Sequence, residues 1–215
     1  MTGPLPDSLD RIGLKYGTDK ASNHHDFLHF YERFFDPLRN QPVTLLEVGV
    51  YQGGSIRTWE EYFASGRIVG IDIDPATRRF ASSRITIEMA DQSNIQDLVG
   101  IGVRFGPFDV VIDDGSHLWD HQILTLQYMY PFLRPGGYYV LEDIDTSYGP
   151  IYTERYKGLS EISAAQYLQK FSDHLVAGEQ FDISREPDPF IRSFARRTEF
   201  VALYRRTAIL RRKAT

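Results

Sequence analysis

The stretch Val110-Val111-Ile112-Asp113-Asp114-Gly115-Ser116-His117 decides the fold. Its apolar run ends abruptly in two carboxylates, a glycine, a hydroxyl and an imidazole, a pattern typical of a buried parallel strand with polar groups at its carboxyl end. A second apolar run, residues 138–141, leads into Glu142 and Asp143. Open α/β sheets bind ligands at this edge, so two acidic strand ends indicate a metal ion or a cationic cofactor.

The composition is that of an ordinary globular protein. The 215 residues suit a single α/β domain, with 42% hydrophobic and 25% charged residues. No apolar run is long enough to span a bilayer, the start lacks a signal-peptide pattern and cysteine is absent, so we expect a cytoplasmic protein with no membrane partner. The net charge of -5 argues against a nucleic-acid partner. The basic C-terminus, with Arg205-Arg206 and Arg211-Arg212-Lys213, is interpreted as a solvated tail rather than a polyanion or membrane contact.

Short apolar strands alternate with helix-length polar stretches after residue 42. This order predicts a mostly parallel α/β sheet with right-handed crossovers and helices on both faces. The predicted strands are residues 43–48, 67–71, 85–89, 108–112 and 137–141.

The two ends of the chain are predicted to flank this sheet. Residues 1–42 are interpreted as a helical lid or flanking layer, ahead of one domain over residues 43–215. Late apolar runs at 200–204 and 207–210 predict an antiparallel hairpin that closes the sheet. A further candidate strand is at 183–184, and a helix is predicted at 160–177.

Glycines follow the first strand, where residues 47–55 read Glu-Val-Gly-Val-Tyr-Gln-Gly-Gly-Ser. Glycine permits close approach of the backbone to a ligand. The spacing departs from the dinucleotide fingerprint and no phosphate-loop lysine follows, so NAD and ATP are disfavoured. The candidates for cofactor contact here are Glu47, Gly49, Gly53 and Ser55.

Acids also end the next two strands. Asp72 at the second strand end can accept hydrogen bonds from both hydroxyls of a ribose. Asp91 and Gln92 after the third strand are placed to meet an adenine edge. The alternative for each isolated acid is a helix cap, but several strand ends in series with suitable polar groups favour cofactor binding.

These motifs resemble the S-adenosylmethionine (SAM) dependent methyltransferases of the Rossmann-like class. The likeness narrows over residues 10–150 to the metal-dependent sugar O-methyltransferases of macrolide pathways, typified by those acting on macrocin and mycinamicin. It rests on the Glu-x-Gly loop at 47–49, Gly-Ile-Asp at 70–72, Asp-Gln-Ser at 91–93, Tyr-Gly-Thr-Asp-Lys at 16–20, Ile-Asp-Asp-Gly-Ser-His at 112–117, Leu-Arg-Pro-Gly-Gly at 133–137 and Glu-Asp at 142–143 followed by Thr-Ser-Tyr at 146–148.

The resemblance implies a class I methyltransferase fold with a seven-stranded sheet and SAM as cofactor. It also makes Thr18 or Lys20 plausible contacts of the SAM carboxylate. The macrolide enzymes carry a further N-terminal domain that helps assemble their oligomer, whereas this chain begins almost directly at the 16–20 motif. A homo-oligomer is left open. Their oligomeric state and aglycone specificity are not carried over.

A metal site is predicted where strands four and five end side by side. Asp114, Glu142 and Asp143 would converge there and favour a hard, oxygen-liking ion, Mg²⁺ before Mn²⁺. The alternative is an acidic rim that binds no metal. Adjacency of the strands and the family resemblance favour the ion.

His117 is the candidate general base, because it lies three residues beyond Asp114 and an imidazole accepts a proton near neutral pH. A helix is expected to begin near Ser116, so a capping role for His117 is the alternative. His121 is the second candidate base. Asp113 is expected to point away from Asp114, towards the methionine portion of SAM.

These expectations combine into a SAM-dependent, Mg²⁺-dependent O-methyltransferase. Asp114 and His117 would carry catalysis on a hydroxyl of a sugar or polyhydroxylated natural product, and the small-molecule partner would be a glycosylated secondary metabolite. Two alternatives stay open: catechol-type O-methylation of a small molecule, and a non-catalytic SAM-binding protein of a biosynthetic cluster.

Overall fold

The computed structural model describes residues 7–180 and 182–215. Its contacts divide the chain into two compact units, up to Met89 and from Ala90. The expectation of one domain over residues 43–215 stays a prediction. Among the described residues, no helix has the length and apolarity needed to cross a membrane.

The first unit carries two helices ahead of its three strands. Ser8 caps the first helix, Leu9–Tyr16, by accepting a hydrogen bond from the Arg11 backbone, and Gly17 ends that helix in a left-handed conformation. The next helix buries an aromatic face that includes Tyr31 and Phe35. The elements are α1 Leu9–Tyr16, α2 Leu28–Phe35, β1 Thr44–Val48, α3 Gly54–Tyr62, β2 Arg67–Asp72 and β3 Ile85–Met89.

The second unit carries the remaining strands and a helical region between the fifth and sixth. Ser163 and Gln166 form a capping box at the start of the helix Ala164–Ala177. The elements are α4 Ile95–Phe105, β4 Phe108–Asp113, α5 Trp119–Met129, β5 Leu133–Leu141, α6 Pro150–Tyr156, α7 Ala164–Ala177, α8 Pro189–Phe194, β6 Thr198–Tyr204 and β7 Thr207–Arg212.

The seven strands form one sheet in the order β3-β2-β1-β4-β5-β7-β6. Within the first unit, β2 pairs in parallel with β1 and β3. Within the second, β4 and β5 are parallel with Asp113 opposite Leu141, and β7 runs antiparallel to β5 and β6. The predicted mostly parallel sheet and its closing hairpin are therefore confirmed, and the acidic ends of β4 and β5 lie side by side.

Three local predictions were wrong. Residues Ile183–Arg185 form a 3₁₀ turn because Asp182 accepts a hydrogen bond from the Ser184 backbone, which satisfies that segment locally. The helix expected near Ser116 begins at Trp119. The fifth strand begins at Leu133, four residues earlier than predicted.

Candidate functional site

The glycine loop after β1 turns sharply back on itself. Gly49, Tyr51 and Gly53 all have positive φ, of 89°, 48° and 74°. A β-carbon on Gly53 would lie 2.6 Å from the Phe80 ring. Glycine is therefore required at residue 53 for both its backbone conformation and its packing.

The Asp72 carboxylate holds this loop. Its Oδ2 accepts hydrogen bonds from the backbone of Val50 (2.8 Å) and Tyr51 (3.0 Å), and its Oδ1 accepts one from Asp74 (2.8 Å). The residue predicted to bind a ribose thus also fixes the conformation of the glycine loop. Asp74 instead caps a 3₁₀ turn through Ala76.

The other candidates of the first unit are buried around the start of α3. Glu47 accepts a hydrogen bond of 3.1 Å from the Trp59 indole. The backbone of Thr18 lies against Gly54, where an added β-carbon would be 3.1 Å from the Thr18 Cα. Lys20 and Ser55 are also buried. The segment that carries Thr18 and Lys20 therefore packs beside the glycine loop.

In the second unit, Asp91 makes a local turn. The Ser93 hydroxyl and backbone N–H both donate to its Oδ1, at 2.7 and 2.8 Å. These hydrogen bonds lower the pKa of Asp91. One of its oxygens is thus committed to the turn that precedes α4.

Gln92 and Asp113 are joined in a buried polar network. The Gln92 amide donates to Asp113 Oδ1 (2.7 Å) and to the Thr125 hydroxyl (2.9 Å), and its oxygen accepts from the Ser116 backbone (2.9 Å). Tyr139 donates to the other oxygen of Asp113 at 3.3 Å. Gln92 therefore fixes the loop after β4.

Burial raises the pKa of Asp113 to about 7, against the lowering effect of its hydrogen bonds from Gly115, Tyr139 and Gln92. Its hydrogen-bond partners Gln92, Gly115 and Tyr139 belong to the same unit. The role of Asp113 towards SAM stays a prediction. The same holds for Gln92.

Asp114, His117 and Asp143 form the one group of possible metal ligands among the described residues. One ligand atom from each lies within 4.8 Å of the others. Nε2 of His117 is 3.5 Å from Oδ2 of Asp143. The buried Nδ1 of His117 has no hydrogen-bond partner among the described residues. Two carboxylates and an imidazole therefore meet at the ends of β4 and β5, and their metal role stays a prediction.

Two other candidates lie beside this group. Glu142 is buried, and its backbone oxygen accepts a hydrogen bond of 2.8 Å from the Gln122 amide, but it is not a member of the group. His121 Nδ1 lies 2.8 Å from the Ser116 hydroxyl. The structure thus brings His117, rather than Glu142, together with Asp114 and Asp143.

Arg206 is a site residue that the sequence did not indicate. Its guanidinium forms ion pairs with Asp143 (2.5 Å) and Asp145 (3.0 Å). Burial would lower the pKa of Arg206, but the two carboxylates raise it. The interpretation of Arg205 and Arg206 as a solvated tail was therefore wrong for Arg206, because β7 pairs with β5 and brings it to the acidic strand end.

A cavity of about 560 Å³ is lined by Trp119, which is linked to the group through hydrogen bonds of Thr146. The Trp119 indole donates to the Thr146 backbone oxygen (3.0 Å), and the Thr146 hydroxyl donates to the backbone oxygens of His117 (3.4 Å) and Asp143 (2.9 Å). Trp119 is buried and also forms part of the cavity wall. The lining residues are Trp119, Ser147, Tyr148, Thr153, Lys157, Glu161, Ser163, Ala165, Gln166 and Gln169.

Curated sequences similar to the chain share one chemistry. The demethylmacrocin O-methyltransferase of Streptomyces fradiae is 40% identical over 156 residues, which is 69% of this chain and 39% of that protein. A tetracenomycin rhamnosyl 3'-O-methyltransferase of Streptomyces olivaceus is 36% identical over 217 residues, 95% of this chain and 54% of that protein. The chain is a homologue of the macrolide sugar O-methyltransferases. It spans about half the length of these homologues or less, and no protein-family model matches it.

Solved structures agree with this homology. The MycE methyltransferase of the mycinamycin pathway, in complex with Mg and SAH, is 31% identical with a TM-score of 0.84, over 98% of this chain and 55% of that one. A Podospora anserina methyltransferase at 17% identity and a TM-score of 0.56 shares the fold alone. The predicted class I methyltransferase fold of this sugar O-methyltransferase homologue is thereby confirmed.

Proposed function

We propose that the protein is a SAM-dependent, Mg²⁺-dependent O-methyltransferase acting on a hydroxyl of a sugar or polyhydroxylated natural product. The observation that carries the proposal is the group Asp114, His117 and Asp143, with ligand atoms within 4.8 Å of one another. It stands at the strand ends where α/β sheets bind ligands. The homology to sugar O-methyltransferases supports the same chemistry.

The donor set fits a divalent ion. Carboxylate oxygens are the ligands that Mg²⁺ and Mn²⁺ prefer. We assign Asp114 and Asp143 to the ion, with Glu142 as the third carboxylate from the same strand end. When bound, the ion would stabilise negative charge on an acceptor oxygen, and SAM would supply the methyl group.

We propose that the Asp72 carboxylate accepts hydrogen bonds from the ribose hydroxyls of SAM. Gly49 and Gly53 would let the backbone of the glycine loop approach the cofactor closely. Asp72 already accepts hydrogen bonds from backbone N–H groups of the glycine loop, so it holds the loop as well as offering oxygens. The further proposed contacts are Glu47, Ser55, Thr18, Lys20, Asp91, Gln92 and Asp113.

His117 is proposed to take the proton of the acceptor hydroxyl. Imidazole is the side chain that most often serves as a general base. The Asp143 carboxylate, 3.5 Å from Nε2, would stabilise the imidazolium that results. The left-handed backbone of His117, with φ of 59°, directs its ring to this position.

The acceptor is proposed to occupy the cavity lined by Trp119, which Thr146 links to the group by hydrogen bonds. Its walls mix the Trp119 indole with the charged and amide side chains of Lys157, Glu161 and Gln166, a lining suited to a polyhydroxylated molecule. Tyr148 stands largely exposed at this wall. We therefore propose that the acceptor is a glycosylated secondary metabolite. A homo-oligomer and a cytoplasmic location stay predictions.

Methyl transfer to defined acceptors tests the proposal. We expect the purified protein with SAM and Mg²⁺ to methylate a glycosylated macrolide such as mycinamicin VI or demethylmacrocin, to stop in excess EDTA and to recover with Mg²⁺. Full turnover in EDTA would refute the metal role. Methylation of a simple catechol alone would favour the catechol-type alternative. SAH binding without turnover on any diol would favour a non-catalytic protein.

A further inference from the structure

Arg206 lies in the short turn between β6 and β7 and reaches the end of β5. Its backbone oxygen accepts a hydrogen bond of 2.9 Å from Ile144, and its side chain pairs with Asp143 and Asp145 on either side. The backbone and side chain of Arg206 are therefore anchored to the same three-residue segment.

The two oxygens of Asp143 have different surroundings. Nη2 of Arg206 donates to Oδ1. Oδ2 is turned towards His117, 3.5 Å from Nε2. The guanidinium thus occupies one oxygen of Asp143 and leaves the other facing His117.

We propose that Arg206 restricts Asp143 to ligation through one oxygen and thereby sets the site's preference for small divalent cations over Ca²⁺. Arg206 is a positioning residue in this proposal, since it acts through Asp143. The inference rests on the metal site of the proposed function.

The coordination chemistry of the two cations supplies the reason. Ca²⁺ takes six to eight oxygens and accepts carboxylates through both oxygens at once. Mg²⁺ is smaller, requires a near-octahedral shell and keeps several waters, so a one-oxygen carboxylate satisfies it. A guanidinium on Oδ1 penalises the two-oxygen mode that Ca²⁺ can use.

The positive charge of Arg206 also repels any cation, and this repulsion acts on Mg²⁺ and Ca²⁺ alike because both carry two charges. The affinity of the site for either cation alone therefore depends both on repulsion by Arg206 and on the coordination geometry of Asp143. The ratio of the two dissociation constants removes most of the shared repulsion and reports the geometry of Asp143.

The test is calorimetric titration of the full chain with MgCl₂ and with CaCl₂, for the wild type and three variants. We expect Arg206→Ala to shift the Kd ratio towards Ca²⁺ by about tenfold or more, equivalent to about 1.4 kcal/mol. Arg206→Lys should give an intermediate shift, because an ammonium cannot reproduce the planar fork of a guanidinium. Arg205→Ala, one residue away in the same turn, is the matched control and should keep the wild-type ratio.

Circular dichroism of each variant establishes that it is folded. An unchanged ratio in folded Arg206→Ala, with Mg²⁺ still bound by the wild type, would overturn this inference and leave the proposed function standing. A shift of the same size in Arg205→Ala would also overturn it, because general surface charge would then explain the effect. Wild-type protein that binds neither cation would refute the metal site and the inference together.

Discussion

Nε2 of His117 lies 3.5 Å from Oδ2 of Asp143, and both residues have left-handed backbones, with φ of 59° and 53°. Neither is a glycine, so each conformation costs about 1–3 kcal/mol and persists only where its surroundings enforce it. The two residues follow the neighbouring strands β4 and β5. Backbone strain at both residues of the His117–Asp143 contact is typical of a functional site.

Replacement of His117 by alanine should lower the methylation rate about a hundred- to ten-thousand-fold, because a general base acts in the proton-transfer step. Binding of SAH and of Mg²⁺, measured by calorimetry, should stay near that of the wild type. The rate should recover at high pH, where solvent hydroxide can remove the acceptor's proton. His121→Ala is the matched control.

Two results would contradict this assignment of the base. Loss of Mg²⁺ affinity in His117→Ala would make His117 a ligand, as its place in the group with Asp114 and Asp143 allows. A near-normal rate at pH 7 that falls only when His121 is also replaced would make His121 the base.

Asp72→Ala should weaken SAH binding by about tenfold or more, since it removes the proposed ribose ligand together with the acceptor of two loop hydrogen bonds. Calorimetry measures the affinity, and hydrogen exchange at Val50 and Tyr51 should accelerate. Asp74→Ala, which removes a cap on a 3₁₀ turn, is the control. Unchanged affinity in Asp72→Ala would assign the ribose to another residue.

Gly115→Ala should destabilise the protein by about 1–3 kcal/mol in urea unfolding. The added β-carbon would lie 2.2 Å from the Gln92 side-chain oxygen, which accepts the Ser116 hydrogen bond and cannot move away without breaking it. Gly100→Ala in α4 meets open space and should stabilise by about 0.5–1 kcal/mol. Equal stability of Gly115→Ala and wild type would show that Gln92 is free to shift.

Glu186 gives the protein an acid-sensitive contact. Burial alone would raise its pKa, but hydrogen bonds from Lys170, the Asp188 backbone and His174 lower it below the usual value of 4.5. A lowered folded-state pKa contributes stability that is present above the unfolded pKa and is lost as pH falls through the folded one.

Glu186→Gln should therefore cost about 1–3 kcal/mol at about pH 6, and the difference from wild type should shrink as pH falls to about 3. Urea unfolding across this range measures it. Glu179→Gln in the same region, which bears an exposed side chain, is the control. A difference that stays constant with pH would contradict the ionised role of Glu186.

The sheet could be predicted because each strand has a recognisable pattern in its own stretch of sequence. β1 and β4 are short, mostly apolar segments, and this pattern placed their bounds within one residue of those observed. The 183–184 strand failed because an isoleucine beside a serine looks extended, whereas the Asp182 side chain closes a turn over it.

The candidate site could be predicted only in part. Asp114 and Asp143 follow from parallel pairing of β4 with β5, which periodicity reveals. The involvement of Arg206 depends on a contact with Asp143 across 63 residues of chain, which no local pattern encodes. The left-handed backbone of His117 was equally hidden, because few residues other than glycine adopt that conformation and a single histidine does not signal it.

The pairing of β7 with β5 has a consequence for synthesis on the ribosome. The Thr207 hydroxyl donates to the Leu141 backbone oxygen across 66 residues, so β5 is made long before the strand that covers its edge. Until β7 emerges from the ribosome, one edge of β5 exposes unpaired backbone N–H and C=O groups together with apolar side chains. Such an edge can pair with other incompletely folded chains. Slow translation between the two strands should therefore increase aggregation of the nascent protein, and chaperones that cover extended apolar segments should reduce it.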